Sequence, residues 1–119
     1  KCAFRETRIA EAKGMIDSRT ALRAIRTFKR AGMPRKNGLY MNTIMIQKMG
    51  NPVADAFNEV WWEAYQQMCK RDQISLPYAL WLSRYDAPVL DFAVHDIAEW
   101  PVYTYVERSK YRRSVRDAA

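Results

Sequence analysis

The clearest hydrophobic pattern in the chain predicts a helix from Ser18 to about Ala31. Its apolar residues recur every three or four positions, which places them on one buried face, and polar residues occupy the other sides. Asp17 is a typical residue for the start of such a helix, and Gly32 is a typical end because it adopts left-handed backbone angles easily. The apolar stripe consists of Ala21, Leu22, Ile25 and Phe28.

The remaining pattern predicts both helices and strands. Asn51 and Pro52 begin a second long helix, which runs to about Cys69, and shorter helices are predicted at 4–13 and 73–84. Short apolar segments rich in β-branched or aromatic residues predict strands instead. These segments lie at 39–48, 87–94 and 101–106.

Helices and strands together predict a mixed, helix-rich α/β fold. No internal repeat or linker divides the chain, so we expect a single domain over residues 1–106. Residues 107–119 are predicted to form a basic C-terminal tail.

The net charge is concentrated at the two ends of the chain. Residues 1–36 contain eleven basic and three acidic residues, a net charge of +8, and residues 107–119 contribute +3. The segment between them has a net charge of −4 and holds most of the aromatic residues. Basic surfaces attract phosphate groups of nucleic acids, nucleotides or lipids. The alternative is a solvated helix face that carries Lys and Arg without a partner.

Composition excludes several classes of protein. Hydrophobic residues make up 49% and aromatic residues 13% of the chain, which excludes intrinsic disorder. No apolar run is long enough for a transmembrane helix, and no signal peptide is visible. Cys2 and Cys69 lack the spacing of a metal site, so we expect free thiols and a cytoplasmic location, with a disulfide as the alternative.

Arg71, Asp72 and Gln73 form the sharpest cluster of chemically useful side chains. They come where the fourth helix is predicted to begin, with Asp72 or Ser75 as its cap. A carboxylate at a helix start can orient or deprotonate a substrate hydroxyl, and a guanidinium can bind an anion. The alternative is a plain Asp cap beside a surface Arg.

Trp62 is the second candidate for ligand binding. Trp61 belongs to the buried stripe of its helix, whereas Trp62 lies on the flank, close to Glu59. An exposed aromatic face is a common platform for sugars and bases, although a surface packing role stays open.

Asn42 and His95 are weaker candidates. Asn42 interrupts an apolar segment and could bind a ligand or a neighbouring loop. His95, followed by Asp96, could ligate a divalent metal, or could be a polar surface residue. The chain contains no phosphate-binding glycine loop, no nucleophile elbow and no Cys/His zinc pattern.

Several of these motifs together resemble a known family. Gly32-Met33-Pro34, Asn37-Gly38-Leu39, Glu59-Val60-Trp61-Trp62, the string from Arg71 to Tyr78 (RDQISLPY) and Trp81 follow one another in that order. This order is similar to the C-terminal half of a glycosyltransferase-like family with a GT-A-type fold. The family includes bacterial glycosyltransferase-domain proteins and plant hexosyltransferase-like proteins linked to cell-wall polysaccharide. The resemblance covers about residues 3–94.

The resemblance implies a Rossmann-like fold and the transfer of a hexose from a nucleotide-sugar to a hydroxyl acceptor of a glycan. It also implies a divalent metal, Mn or Mg. Asp72 would fill the family's acidic position at a helix start as the catalytic residue, and Arg71, Gln73, Trp62, Asn42 and Glu59 would contact substrate. His95 would be the metal ligand. The family's donor-binding half has no counterpart in these residues, so it was cut away, or a partner chain supplies it, or the chain is a fragment without activity.

Two other functions stay open. A basic module that binds a polyanion would explain the charged ends of the chain. A non-catalytic interaction or assembly subunit would use the basic tail on a partner.

Overall fold

The computed structural model describes residues 2–39, 45–48 and 50–85 of the chain. These residues form four helices: α1 (Ala3–Ala12), α2 (Ser18–Ala31), α3 (Pro52–Gln67) and α4 (Asp72–Ser83). All four helices were predicted from the sequence, with ends within a few residues of those observed.

The ends of α2 are fixed by local hydrogen bonds. The Asp17 carboxylate accepts a hydrogen bond of 2.6 Å from the backbone N–H of Thr20, which satisfies a donor that the first turn leaves without a helical partner. At the other end, Gly32 has a φ of 78° and closes the helix. The backbone N–H of Met33 then returns to the Phe28 carbonyl. The cap and the stop were both predicted from sequence.

α3 and α4 begin differently. The Asn51 side chain accepts hydrogen bonds from the backbone of Val53 and Ala54, and Pro52 occupies the first turn, as predicted. In α4, however, Arg71 is the N-cap residue and makes no side-chain cap. Asp72 is the first helical residue, and its carboxylate accepts a hydrogen bond from the backbone N–H of Gln73. The predicted cap at Asp72 is therefore displaced by one residue.

Two apolar clusters hold the helices together. The larger one joins α1, α2 and α4 around Phe28, whose ring meets Phe4 edge-on with centroids 5.0 Å apart. The smaller one lies between α3 and α4 and contains Phe57, Leu76 and Ala79. The exposed faces of the helices carry their charged residues, so the amphipathic pattern of the sequence matches the burial.

The predicted α/β, Rossmann-like fold is wrong for the described part of the chain, which contains four helices and no strand. Of the predicted strand at 39–48, the structure describes Leu39 and residues 45–48, and these residues adopt no regular structure. The one β-type contact between described residues is an isolated bridge from Cys2 to Gly38. The physical reason is that residues 45–48 have no neighbouring strand in the part of the chain that the structure describes: Ile46 is 86% exposed, and Gln47 contacts α3 through its side chain.

Several predictions lie outside the described residues. These include the strands at 87–94 and 101–106 and the basic tail at 107–119. The single domain over 1–106 extends beyond the described residues and stays a prediction.

In the part of the chain that the structure describes, no helix is both long and apolar enough to cross a bilayer. Cys2 and Cys69 are free thiols, as predicted, and Cys69 is buried.

Candidate functional site

Arg71 links the start of α4 to α1. Its Nη2 donates to Glu6 Oε1 at 3.3 Å and to Gln73 Oε1 at 3.1 Å. The Arg71 and Glu6 side chains are only 26% and 15% exposed. The Nε atom of Arg71 is buried and has no hydrogen-bond partner among the described residues. In this arrangement Arg71 and Gln73, both predicted to contact substrate, first of all hold two helices together.

Asp72 differs from its two neighbours because it is exposed. It follows Arg71 in sequence but lies on another side of the helix start. Residues three, four and seven positions later on α4 share one face with it, since a helix repeats every 3.6 residues. Those residues are Ser75, Leu76 and Ala79, which are buried, and the last two pack against α3. Asp72 therefore lies at the solvent end of the α4 face that meets α3.

Trp61 fixes the register between α3 and α4. Its indole Nε1 donates to Ser75 Oγ at 3.1 Å, and its ring stacks on Phe57 with centroids 6.0 Å apart. The packing role predicted for Trp61 is confirmed. Residues 68–71 connect the end of α3 to Asp72, the first residue of α4. Tyr65, in the last turn of α3, and Asp72 thus lie close to the two ends of this short connection.

Trp62 forms an exposed aromatic pair with Tyr65. The two rings are nearly parallel, at 11°, with centroids 6.0 Å apart, and 61% of Trp62 is exposed. The pair lies on the same side of α3 as Asn58, because positions 58, 62 and 65 fall within an arc of about 60°. The predicted flank position of Trp62 is confirmed, and whether it binds a ligand stays a prediction.

An amide pair lies at the other end of this side of α3. Asn58 Nδ2 donates to Gln47 Oε1 at 2.9 Å, and Gln47 Nε2 donates back to Asn58 Oδ1 at 3.1 Å. Residues 58 to 65 span about 10 Å along the helix axis. We call the row of Asn58, Trp62 and Tyr65 the aromatic face. It runs from an amide pair at one end to Tyr65, in the last turn of α3, at the other.

The structure says less about the other predicted site residues. Glu59 is exposed one turn before Trp62, on the side of α3 away from Asn58. Asn42 and His95 lie outside the described residues. Within those residues, no group of three His, Cys, Asp or Glu side chains could hold a metal ion. The described side chains therefore do not fit the divalent metal that the resemblance implies, and we derive no step through it.

Two shallow cavities lie elsewhere on the surface. One, of about 320 Å³, lies between α2, α3 and α4 and includes Thr27, Glu63 and Leu82. The other, of about 270 Å³, includes Met15, Thr20 and Lys70. Neither includes a residue of the aromatic face or Asp72. A ligand on that face would therefore bind a flat surface, as stacking of a sugar ring on an aromatic plane requires.

Sequence reasoning missed two residues of the aromatic face, Tyr65 and Asn58. The spacing of Trp62 and Tyr65, three residues apart on one helix, was the available signal for their contact. Asn58 lies four residues before Trp62 on the same side. Glu6, which pairs with Arg71, is 65 residues away in sequence and left no local signal.

Comparisons with known proteins returned no match to a family model, a curated protein or a solved structure. A function for this chain is therefore inferred from the side chains described above and from the motifs of the sequence.

Proposed function

We propose that this chain is the acceptor-side portion of a glycosyltransferase that transfers a hexose from a nucleotide-sugar to a hydroxyl group of a glycan. The observation that supports it best is the aromatic face, which carries the exposed Trp62 and an amide pair and which residues 68–71 connect to the exposed Asp72. The sequence motifs that resemble glycosyltransferase-like proteins include this same Trp62 and Asp72.

The aromatic face suits a sugar chain for a simple chemical reason. One side of a pyranose ring presents C–H groups, which pack on the flat, electron-rich face of an indole or phenol ring. The ring edge presents hydroxyls, which an amide can bind as both donor and acceptor. Trp62 and Tyr65 would bind the ring of the acceptor, and Asn58 with Gln47 would bind its hydroxyls.

Asp72 would act on the acceptor hydroxyl. Its carboxylate accepts the hydroxyl proton while the oxygen forms a bond to the anomeric carbon of the donor sugar. The bond from that carbon to the diphosphate breaks, and the nucleoside diphosphate leaves with the bonding electrons. The first turn of α4 places partial positive charge beside this carboxylate.

Arg71 and Gln73 have a positioning role in this proposal. The ion pair of Arg71 with Glu6 fixes the start of α4 against α1, and Gln73 completes the same network. They hold the backbone that carries Asp72 in a single place. The donor and its divalent metal would bind to residues beyond those described, supplied by another segment or by a partner chain.

We also propose a cytoplasmic location. The two free thiols support it, because cysteines stay reduced in that compartment.

The experiment that tests the function is transfer from a panel of labelled nucleotide-hexoses to soluble oligosaccharides, with the full-length protein. Asp72→Asn keeps the size of the side chain and removes the base, so transfer should fall by about a hundredfold or more. Asp55→Asn, an exposed carboxylate in the first turn of α3, is the matched control and should keep full activity. Unchanged transfer by a folded Asp72→Asn variant would disprove the role of Asp72.

A further inference from the structure

The solvent face of α2 is a straight stripe of arginines. Arg19, Arg23, Arg26 and Arg30 follow one another at intervals of four, three and four residues. They fall within an arc of about 60°, directly opposite the buried side of the helix, and successive residues rise by about 6, 4.5 and 6 Å. We call these four residues the arginine stripe. Lys29 borders it.

The arginine stripe forms no ion pair with a carboxylate among the described residues, although Glu63 lines a cavity with Arg23. α2 contains five basic and no acidic residues. The ion pairs between described residues, Arg8–Glu11 and Arg71–Glu6, do not involve α2. Arg23 donates through Nε to the Met68 carbonyl at 2.9 Å, which fixes its side chain but does not neutralise its charge. The nearest acidic residue in sequence, Asp17, uses its carboxylate to cap α2.

Exposed apolar side chains flank the stripe on both sides. Leu22, which is 44% exposed, lies on one side of it. Met15, which is 53% exposed, lines a cavity with Thr20 and Arg23 and so lies on the other side. An exposed row of cations between apolar side chains is typical of surfaces that adsorb to a membrane interface.

We propose that the arginine stripe binds the surface of an anionic lipid bilayer. Because the stripe is straight, the guanidinium groups of Arg19, Arg26 and Arg30 can reach one plane together, while Arg23 stays bonded to the Met68 carbonyl. The buried side of α2, which includes Phe28, stays packed in the larger apolar cluster, so the domain adsorbs without inserting the helix. Leu22 and Met15 enter the headgroup region beside the arginines. This inference does not depend on the proposed transferase activity.

The geometry favours a bilayer over a nucleic acid. Proteins that bind single strands place aromatic side chains between their cations, so that bases stack on them. The exposed face of α2 carries Leu22 and no aromatic residue.

The experiment measures cosedimentation of the protein with phosphatidylcholine vesicles that contain phosphatidylserine, and with pure phosphatidylcholine vesicles. We expect binding to the anionic vesicles only, and weaker binding as salt screens the charges. Each basic residue near an anionic bilayer strengthens partitioning by about fivefold, so replacing Arg19, Arg26 and Arg30 with Gln should weaken it by about a hundredfold. Circular dichroism should show that this variant keeps its helices, since Gln is a good helix former.

A matched control removes the same charge elsewhere. Arg5, Lys13 and Lys36 are exposed and lie outside α2, and replacing them with Gln should weaken binding far less than the α2 variant. Equal losses in the two variants would overturn the proposal, because net charge alone would then explain binding. Tighter binding to a single- or double-stranded oligonucleotide than to the anionic vesicles at the same salt would overturn it in favour of a nucleic acid.

Discussion

Trp61 on α3 donates its indole N–H to the hydroxyl of Ser75 on α4, across 3.1 Å. Ser75 Oγ in turn donates to the Arg71 carbonyl at 3.2 Å, so the contact reaches back to the residue that precedes Asp72. This chain of two hydrogen bonds fixes the height of α4 relative to α3. It thus joins the helix that carries the aromatic face to the start of α4, where Asp72 lies. The position of the aromatic face relative to Asp72 therefore depends on how α3 and α4 pack together.

The link between Arg71 and Glu6 should be important for stability. Arg71→Met removes the cation and leaves the mostly buried Glu6 carboxylate without its partner, so we expect a loss of about 2 kcal/mol in the free energy of unfolding. Urea denaturation followed by circular dichroism measures it. Glu6→Gln in the Arg71→Met background should recover part of the loss, because it removes the unpaired charge. Equal stability of Arg71→Met and wild type would contradict a structural role for this pair.

Phe28 is the central packing residue of the larger apolar cluster. It is fully buried and touches Phe4 and Tyr78, on two other helices. Phe28→Ala should lower the free energy of unfolding by about 3–5 kcal/mol, while Phe28→Leu should cost about 1 kcal/mol. The midpoint of chemical denaturation gives both values. Similar midpoints for the two variants would show that Phe28 is not packed as described.

The cap of α2 predicts a specific dependence on pH. Hydrogen bonds from the backbone and hydroxyl of Thr20 lower the pKa of Asp17 below its ordinary value of 3.8. A lowered pKa in the folded state stabilises the protein above the ordinary value, and this contribution is lost as the pH falls through the folded-state pKa. Asp17→Asn still caps the helix but does not titrate. Wild type should therefore lose stability relative to Asp17→Asn as the pH falls below 3.8. A stability difference that does not change with pH would contradict this role of Asp17.

Cys69 should react slowly in the folded protein. It is buried, and burial raises the pKa of its thiol, so little thiolate is available to a disulfide reagent. In a Cys2→Ser variant, which leaves Cys69 as the only cysteine of this sequence, labelling should be slower by a hundredfold or so in buffer than in concentrated urea. Comparable rates in the two solutions would show that the α3–α4 connection opens readily.

Local signals explain why the helices could be predicted. The ends of α2 depend on Asp17 and Gly32, which act within a few residues of their own position. Its buried face follows from the spacing of apolar residues alone. For the same reason Asn51 and Pro52 correctly marked the start of α3.

Local signals could not show that Leu39 and residues 45–48 form no strand. Apolar and β-branched residues favour a strand only if a neighbouring strand accepts their backbone hydrogen bonds. Ile46 and Gln47 have no such neighbour among the described residues, and Gln47 instead binds Asn58 through its side chain. Because that partner is a side chain on α3, no pattern within 39–48 could indicate it.

The candidate site was predictable in part. The sequence placed Trp62 on the flank of α3 and Asp72 at the start of α4, and both positions are observed. It could not show that Arg71 is engaged by Glu6, since that contact joins distant parts of the chain. The Trp61–Ser75 contact between α3 and α4 likewise arises only from tertiary packing.

The most direct test of the central claim is glycan binding by the aromatic face. We first test the binding of wild type, Trp62→Ala and Trp62→Phe to an immobilised glycan array. Each bound oligosaccharide is then titrated into the three proteins, with intrinsic fluorescence as the signal. Loss of one stacked ring should weaken binding by about tenfold or more in Trp62→Ala, whereas Trp62→Phe should keep most of it. Leu82→Ala, an exposed apolar residue of α4 away from the aromatic face, should bind like wild type. Equal glycan affinity in Trp62→Ala and wild type, or no glycan bound by wild type, would contradict the account.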